Sequence, residues 1–89
     1  MRYTISRDAA FAAVEDGAVV LHMGTKRYYS LNETGMFVWR CLEDGVGRAE
    51  IVTRLLDQYE VGIAEAEMAV ARLLEELVQE SLIHAATPA

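Results

Sequence analysis

Histidine and cysteine, the residues that most often form metal sites and nucleophilic centres, are few and far apart in this chain of 89 residues. His22 falls in a predicted strand, His84 falls near the C-terminus, and Cys41 has no histidine close to it in the sequence. A zinc site needs histidines and cysteines at suitable spacing, and a reactive thiol needs a positive neighbour. We therefore predict structural or surface histidines, and a role as a small buried hydrophobic residue for Cys41.

Acidic residues and glycines give no sign of catalysis either. The acidic residues near the C-terminus fall mostly at polar positions of a helical pattern, which predicts a solvated helix face rather than acid/base chemistry. These residues are Glu65, Glu67, Glu75, Glu76 and Glu80. The glycines are isolated turn formers and make no glycine-rich loop that would hold phosphate groups. The sequence thus predicts a protein that is not an enzyme and has no metal and no cofactor.

The charge of the chain argues against nucleic acid as a partner. Fourteen acidic residues and eight lysines and arginines give a formal net charge of -6. Nucleic-acid binding draws much of its affinity from clustered bases, and only Lys26 and Arg27 are adjacent here. A basic partner, or a mostly apolar one, fits this composition better.

The sequence predicts a cytoplasmic protein. A single cysteine allows no intrachain disulfide, so nothing points to an oxidising compartment. Residues 1–8 lack the apolar segment of a signal peptide. No stretch approaches the roughly 18 uncharged apolar residues of a membrane span, so we expect no membrane contact.

The first third of the chain has the pattern of three short strands at 10–14, 18–23 and 27–31. The pair Asp16-Gly17 between the first two apolar runs predicts a hairpin, because glycine accepts the positive φ of a tight type I′ turn. Residues 27–31 are rich in aromatic side chains and alternate in character, which is typical of a strand. Short strands joined by tight turns predict an antiparallel meander.

Helical periodicity replaces the strand pattern after Asn32, which is a good helix N-cap. Three helices are predicted, at about 32–43, 48–59 and 64–80, and glycine is available for a left-handed cap after the first. In the third helix one face is predicted to be core, formed by Ala66, Val70, Leu73 and Leu77. Residues 84–89 are predicted to be a loose tail. Strands followed by helices indicate a single α+β domain over residues 1–89, similar to a winged helix-turn-helix with the wing first.

Two features predict a cleft that binds a peptide. If the meander keeps sequence order, its third strand lies at the edge of the sheet and can accept an added strand. Its residues are Arg27, Tyr28, Tyr29, Ser30 and Leu31. The third helix carries a second apolar stripe of Ala71, Leu74 and Val78, with Glu67 at its N-terminal end. The alternatives are a broad core contact for the stripe, and an edge covered by loops or by the N-terminal residues.

Three stretches of the chain, in this order, resemble the PqqD-like family, also called RiPP recognition elements. The first is residues 27–35 followed by Val38, Trp39 and Leu42; the second is Ile51, Leu55, Tyr59 and Val61; the third is Val70, Leu73, Leu74, Leu77, Leu82 and Ile83. Two positions depart from the family pattern. Ala69 stands where an acidic residue is common. Ser81 replaces the usual glycine, which the fold tolerates if Ser81 keeps an ordinary backbone conformation.

This resemblance implies a winged helix-turn-helix-like fold of three strands and three helices, without catalysis. It implies that the third strand and third helix capture the leader segment of a ribosomally made precursor peptide as an extra strand. The partner would then be a leader peptidase or another RiPP-modifying enzyme, and the double tyrosine favours the lasso-peptide branch. A scaffold subunit that does not touch the peptide, or less readily a DNA-binding protein, are the alternatives.

Overall fold

Five strands and three helices form the fold over residues 2–86, the part of the chain that the computed structural model describes. In chain order they are β1 (Arg2–Ile5), β2 (Ala9–Val14), β3 (Gly17–His22), β4 (Tyr28–Leu31), α1 (Glu33–Glu43), α2 (Arg48–Gln58), α3 (Ile63–Gln79) and β5 (Ile83–Ala86). The predicted α+β class is confirmed. The three predicted strands and three predicted helices are all present, with bounds within about one residue of those predicted.

The central sheet is an antiparallel meander in the order β2–β3–β4, as the short strands and tight turns of the sequence predict. The turn between its first two strands differs in detail from the prediction. Glu15 and Asp16 form the turn, whereas Gly17 pairs with Val14 as the first residue of β3. Glycine is needed there because a Cβ atom would collide with the carbonyl oxygen of Leu31 at the end of β4. Close approach of two strands, and not the turn itself, explains this glycine.

Both ends of α1 follow the chemistry that the sequence predicts. The side-chain oxygen of Asn32 accepts a hydrogen bond from the Gly35 N–H at 2.8 Å and caps the first turn. At the other end Gly45 takes a left-handed conformation, with φ of 76°. The N–H of Gly45 donates to the Leu42 carbonyl at 3.0 Å, which closes the last turn.

The core lies between the inner face of the central sheet and the helices. Trp39 of α1 is fully buried and stacks on Phe11 of β2, with ring centroids 6.1 Å apart. Along β3 the side chains of Ala18 and Val20 are buried, while Leu21 faces outward and is 37% exposed. The helix α1 thus packs against β3 and β4 of this sheet.

A second sheet joins the two ends of the described chain. Strands β1 and β5 are antiparallel, with Ile5 opposite Ile83 and Thr4 opposite His84. The predicted loose tail is therefore wrong for residues 84–86, and residues 87–89 lie outside the described part. Ile83 in β5 is 0% exposed. In β1 exposed and half-buried side chains alternate along Arg2-Tyr3-Thr4-Ile5, so one face of this sheet also turns towards the core.

The end of α3 contains a serine in a conformation that usually requires glycine. Ser81 has φ of 59°, so the expected ordinary conformation is not found. Its N–H donates to the Val78 carbonyl and the Leu82 N–H donates to the Leu77 carbonyl, both at 3.0 Å. These two bonds form a Schellman motif, in which the left-handed residue turns the chain sharply towards β5.

Replacing Ser81 by glycine is expected to stabilise the fold by about 1 kcal/mol, because a left-handed conformation costs other residues about 1–2 kcal/mol. Denaturant unfolding would show this gain as a higher midpoint at unchanged slope. Gly45→Ser is the matched control, since it places serine in the corresponding motif after α1 and should lose a similar amount. A Ser81→Gly variant less stable than the parent protein would contradict the strain argument.

The buried face of α3 differs from the prediction at one residue. Ala66, Val70 and Leu77 are buried as predicted, but Leu74 is the fourth buried residue and Leu73 is only half-buried. The sequence pattern contains leucine at both positions, so it does not distinguish them. α3 packs against α2 and β5, whereas Leu73 lies where α3 faces β4 across an open groove.

Candidate functional site

An open groove of about 540 Å³ runs between β4 and α3. Its walls are formed by β4, by the start of α1 and by one face of α3. Val38 of α1 and Leu55 of α2 lie at its floor. The lining residues are Tyr29, Ser30, Leu31, Asn32, Thr34, Gly35, Val38, Leu55, Ala69, Val70, Arg72, Leu73 and Glu76. The groove therefore lies beside an edge strand, over the top of the hydrophobic core.

The backbone of β4 has one row of groups bonded to β3 and one row facing the open edge. The hydrogen bond just before β4, in which the His22 N–H donates to the Arg27 carbonyl at 2.8 Å, identifies His22 and Arg27 as a hydrogen-bonded pair. Hydrogen-bonded pairs and non-hydrogen-bonded pairs alternate along antiparallel strands. The register of β3 and β4 is continuous with that pair, so the backbone groups of Tyr29 and Leu31 bond to β3.

The backbone groups of Tyr28 and Ser30 point away from the sheet. No strand of the described residues covers them, because β4 is the last strand in its sheet. Such a row of N–H and C=O groups can pair with an added strand. The side chains of Tyr29 and Leu31 face the helices, so an added strand would direct its alternate side chains into the groove.

One end of the groove is polar and ties β4 to α3. The Tyr29 hydroxyl donates a hydrogen bond to the Glu76 carboxylate, and the Arg27 guanidinium forms an ion pair with Glu80 at 3.2 Å. Burial of the phenol, assisted by the hydrogen bond and the negative charge of Glu76, raises the pKa of Tyr29 to about 12. The polar end thus links β4 to α3 mainly through the Tyr29 hydrogen bond, because the Arg27 ion pair is largely exposed and contributes little.

Titration of Tyr29 is expected to give a tyrosinate step with a pKa of about 12, above the ordinary value of 10.0. A raised pKa means that the protonated phenol stabilises the fold below pH 10, and that this stabilisation is lost between pH 10 and about 12. The absorbance of tyrosinate measures the step. The titration step near pH 12 should be absent from Tyr29→Phe and should move to lower pH in Glu76→Gln. A step that is unchanged in both variants would contradict its assignment to Tyr29.

The other end of the groove is apolar. Leu31, Val38 and Val70 are buried beneath it, and half-buried Leu73 forms its α3 side. Gly35 lets the first turn of α1 approach closely, because a Cβ atom there would lie 3.2 Å from a methyl group of Leu31. This end can receive an apolar side chain, and desolvation of that side chain would favour binding.

The predicted site residues on β4 lie at the groove or beside it. Tyr29, Ser30 and Leu31 line the groove. Tyr28 is 70% exposed on the outer face of the sheet, and Arg27 precedes the strand at its polar end. Three of the five predicted strand residues therefore line the groove, and their part in peptide binding stays a prediction.

The predicted apolar stripe on α3 is not the wall of this groove. Leu74 is buried in the core at 1% exposure, while Ala71 and Val78 do not line the groove. Glu67 lies in a different depression, between α2 and α3. The actual wall is Ala69, Arg72, Leu73 and Glu76. This face mixes charged and apolar residues, so a search for an apolar stripe could not find it.

The remaining candidate residues have structural surroundings. Within residues 2–86 no three His, Cys, Asp or Glu side chains are grouped so that they could hold a metal ion. Burial raises the pKa of the Cys41 thiol, which opposes reactivity. The Nδ1 atom of His22 accepts from the N–H groups of Gly24 and Thr25, both at 3.1 Å, and so organises the turn before β4. No helix of the described chain is long and apolar enough to cross a membrane.

Comparison with known proteins relates this architecture to peptide-binding proteins. The solved structure described as "TbiB1 in Complex with the TbiA(beta) Leader Peptide" is similar, with a TM-score of 0.86 and 28% identity over 96% of this chain and 99% of that one. A second, described as "Lasso peptide synthetase B1 complexed with the leader peptide", has a TM-score of 0.86 and 25% identity over 96% of this chain and 100% of that one.

The family assignment comes from the sequence itself. No curated protein sequence matches the chain. A family model described as "Coenzyme PQQ synthesis protein D (PqqD)" matches residues 17–83, which include β3, β4 and all three helices. The match covers the groove and the core beneath it, and the chain therefore belongs to the PqqD family.

Proposed function

We propose that this protein binds the leader segment of a ribosomally synthesised precursor peptide, of the lasso type, and presents it to a modifying enzyme. The open edge of β4 beside a groove is the observation that carries this proposal. The two similar structures support it, since both are described as complexes with a leader peptide. Membership of the PqqD family supports it as well.

The groove geometry suggests how the peptide is held. The backbone groups of Tyr28 and Ser30 pair with an added strand, which supplies affinity independent of sequence. Alternate side chains of that strand then enter the groove between β4 and α3, where the apolar end selects their size and polarity. Ordering a flexible peptide costs about 2–5 kcal/mol of the gross interaction, so we expect a modest affinity.

We further propose that the protein supplies binding and no catalysis. The described residues offer no metal-binding group of side chains, and the cysteine thiol is buried. The chemical steps then belong to a partner, such as a leader peptidase or another modifying enzyme. Because precursor peptides are made by ribosomes, we place this function in the cytoplasm.

Charge on α3 disfavours the nucleic-acid alternative. The helix that a helix-turn-helix protein would place in DNA has a single base, Arg72. Its acidic residues are Glu65, Glu67, Glu75 and Glu76, with Glu80 at its C-cap. Such a helix repels phosphate, so we expect no binding to DNA at physiological salt.

A titration followed by fluorescence anisotropy tests the proposed function. The labelled probe is the leader segment of the precursor encoded beside this chain, and a scrambled leader of the same composition is the control. Saturable binding of the true leader alone is the expected result. Equal binding of both peptides, or binding of neither, would contradict leader recognition.

The outer face of the central sheet favours a second function as a scaffold. Val14, Leu21 and Tyr28 on this face are 54%, 37% and 70% exposed, and Leu21 lies directly opposite Tyr28 in the register of β3 and β4, so apolar side chains are available there for contact with a partner. A scaffold subunit would bind the modifying enzyme through such a face without touching the peptide. It would be retained by the tagged enzyme in a pull-down and yet fail to bind isolated leader.

A further inference from the structure

Arg72 occupies a distinctive position in the groove. It is exposed on the α3 wall, and within residues 2–86 it forms neither an ion pair nor a side-chain hydrogen bond. Two other arginines are engaged: Arg27 pairs with Glu80, and Arg54 pairs with Asp44 and Glu50. The groove therefore contains an arginine whose five donors remain available to a ligand.

The acidic residue that lines the groove already accepts a hydrogen bond from Tyr29. Glu76 lies one helical turn after Arg72, and its carboxylate accepts the hydrogen bond from the Tyr29 hydroxyl. The positive charge of Arg72 also acts on Tyr29, where it opposes the rise in pKa. Arg72 is thus close to the phenol at the polar end of the groove without being neutralised there.

The register of an added strand places one peptide side chain beside Tyr29 and Arg72. In an added strand, the residue opposite Tyr29 has its side chain on the same face as Tyr29, towards α3. The residue opposite Leu31 faces the same way, two positions along the peptide, and reaches the apolar end of the groove. One peptide side chain therefore lies at the polar end of the groove, and the side chain two residues away lies at the apolar end.

We propose that Arg72 selects peptides with an aspartate or glutamate facing α3 at the level of Tyr29, two residues from the side chain that enters the apolar end. This inference rests on the proposed function and names the chemistry of the peptide that the groove prefers. The guanidinium matches a carboxylate with two parallel hydrogen bonds. A lysine at the same peptide position would be repelled by Arg72, which adds selection against wrong peptides.

The overall charge of the protein makes this contact selective. A chain with a net charge of -6 disfavours acidic peptides in general. A carboxylate is favoured where Arg72 meets it, so the contact contributes to the register of the bound strand. The bound peptide also covers Arg72 and excludes water, which makes the ion pair stronger than an exposed one.

A double-mutant cycle tests the proposal. Each acidic residue of the labelled leader is replaced in turn by its amide, and binding to the parent protein and to Arg72→Gln is measured by anisotropy. One replacement is expected to weaken binding to the parent protein about tenfold, the ratio that corresponds to about 1.4 kcal/mol. The same replacement should have little effect on Arg72→Gln. Arg48→Gln, on the depression between α2 and α3, is the matched control and should behave as the parent protein.

Charge exchange gives an independent readout. Arg72→Glu should bind the natural leader poorly and recover affinity when the selected acidic residue becomes lysine. Leader binding that is equal in the parent protein and Arg72→Gln for every peptide would overturn the Arg72 inference while leaving the proposed function intact. No binding of the natural leader to the parent protein would overturn both.

Discussion

Replacing Ser30 by proline is expected to weaken leader binding by about a hundredfold or more, which corresponds to about 3 kcal/mol. Proline removes the outward N–H of Ser30 and places its ring where the added strand would pair. The same change spares the bonds between β4 and β3, because Ser30 does not take part in them. Proline is tolerated on an exposed strand edge, so the variant should fold.

Two controls separate lost binding from lost folding. Ser30→Ala keeps the backbone N–H and should bind as the parent protein does. Leu31→Pro removes an N–H that bonds to β3 and should destabilise the sheet itself. Circular dichroism monitors folding and anisotropy monitors binding. A folded Ser30→Pro variant with unchanged affinity would show that the leader does not add to β4.

A tryptophan at position 69 is expected to reduce leader affinity at least tenfold by filling the groove. Ala69 is exposed and lines the groove, so its replacement changes the space available to a peptide without disturbing the core. Val78→Trp is the matched control, because Val78 is 39% exposed on the same helix but outside the groove. Both variants should unfold at nearly the parent denaturant concentration, since neither side chain is part of the core.

This pair of variants also distinguishes two interpretations of α3. The apolar stripe of Ala71, Leu74 and Val78, which the sequence pattern favoured, would make Val78→Trp the damaging change. The groove in the structure makes Ala69→Trp the damaging one. Anisotropy titration of both variants with the same labelled leader decides between them, and a larger loss of affinity in Val78→Trp would contradict binding in the groove between β4 and α3.

Local chemistry made much of the fold predictable. Asn32 caps the start of α1 with its side-chain oxygen, and Gly45 ends the helix in a left-handed conformation. Both residue types are typical of these positions, so the sequence indicates the ends of the helix. The alternating residues of β4 predict its buried and exposed faces. These signals act over a few residues, so they are present in the sequence before any tertiary contact forms.

The features that were missed depend on contacts between distant parts of the chain. The pairing of β1 with β5 joins the two ends of the described chain and involves short, weakly patterned segments. The choice between Leu73 and Leu74 as core residue depends on where α2 and β5 meet α3. Arg72 has no signal in a hydrophobic pattern, because the α3 wall of the groove mixes charged and apolar residues.

Amide hydrogen exchange at β4 tests whether the leader peptide binds as an added strand. In the free protein the amides of Tyr28 and Ser30 should exchange quickly, while those of Tyr29 and Leu31 are protected by β3. Saturating leader peptide is predicted to slow exchange at Tyr28 and Ser30. Unchanged exchange at these two amides, with new protection between α2 and α3 instead, would contradict binding at this edge.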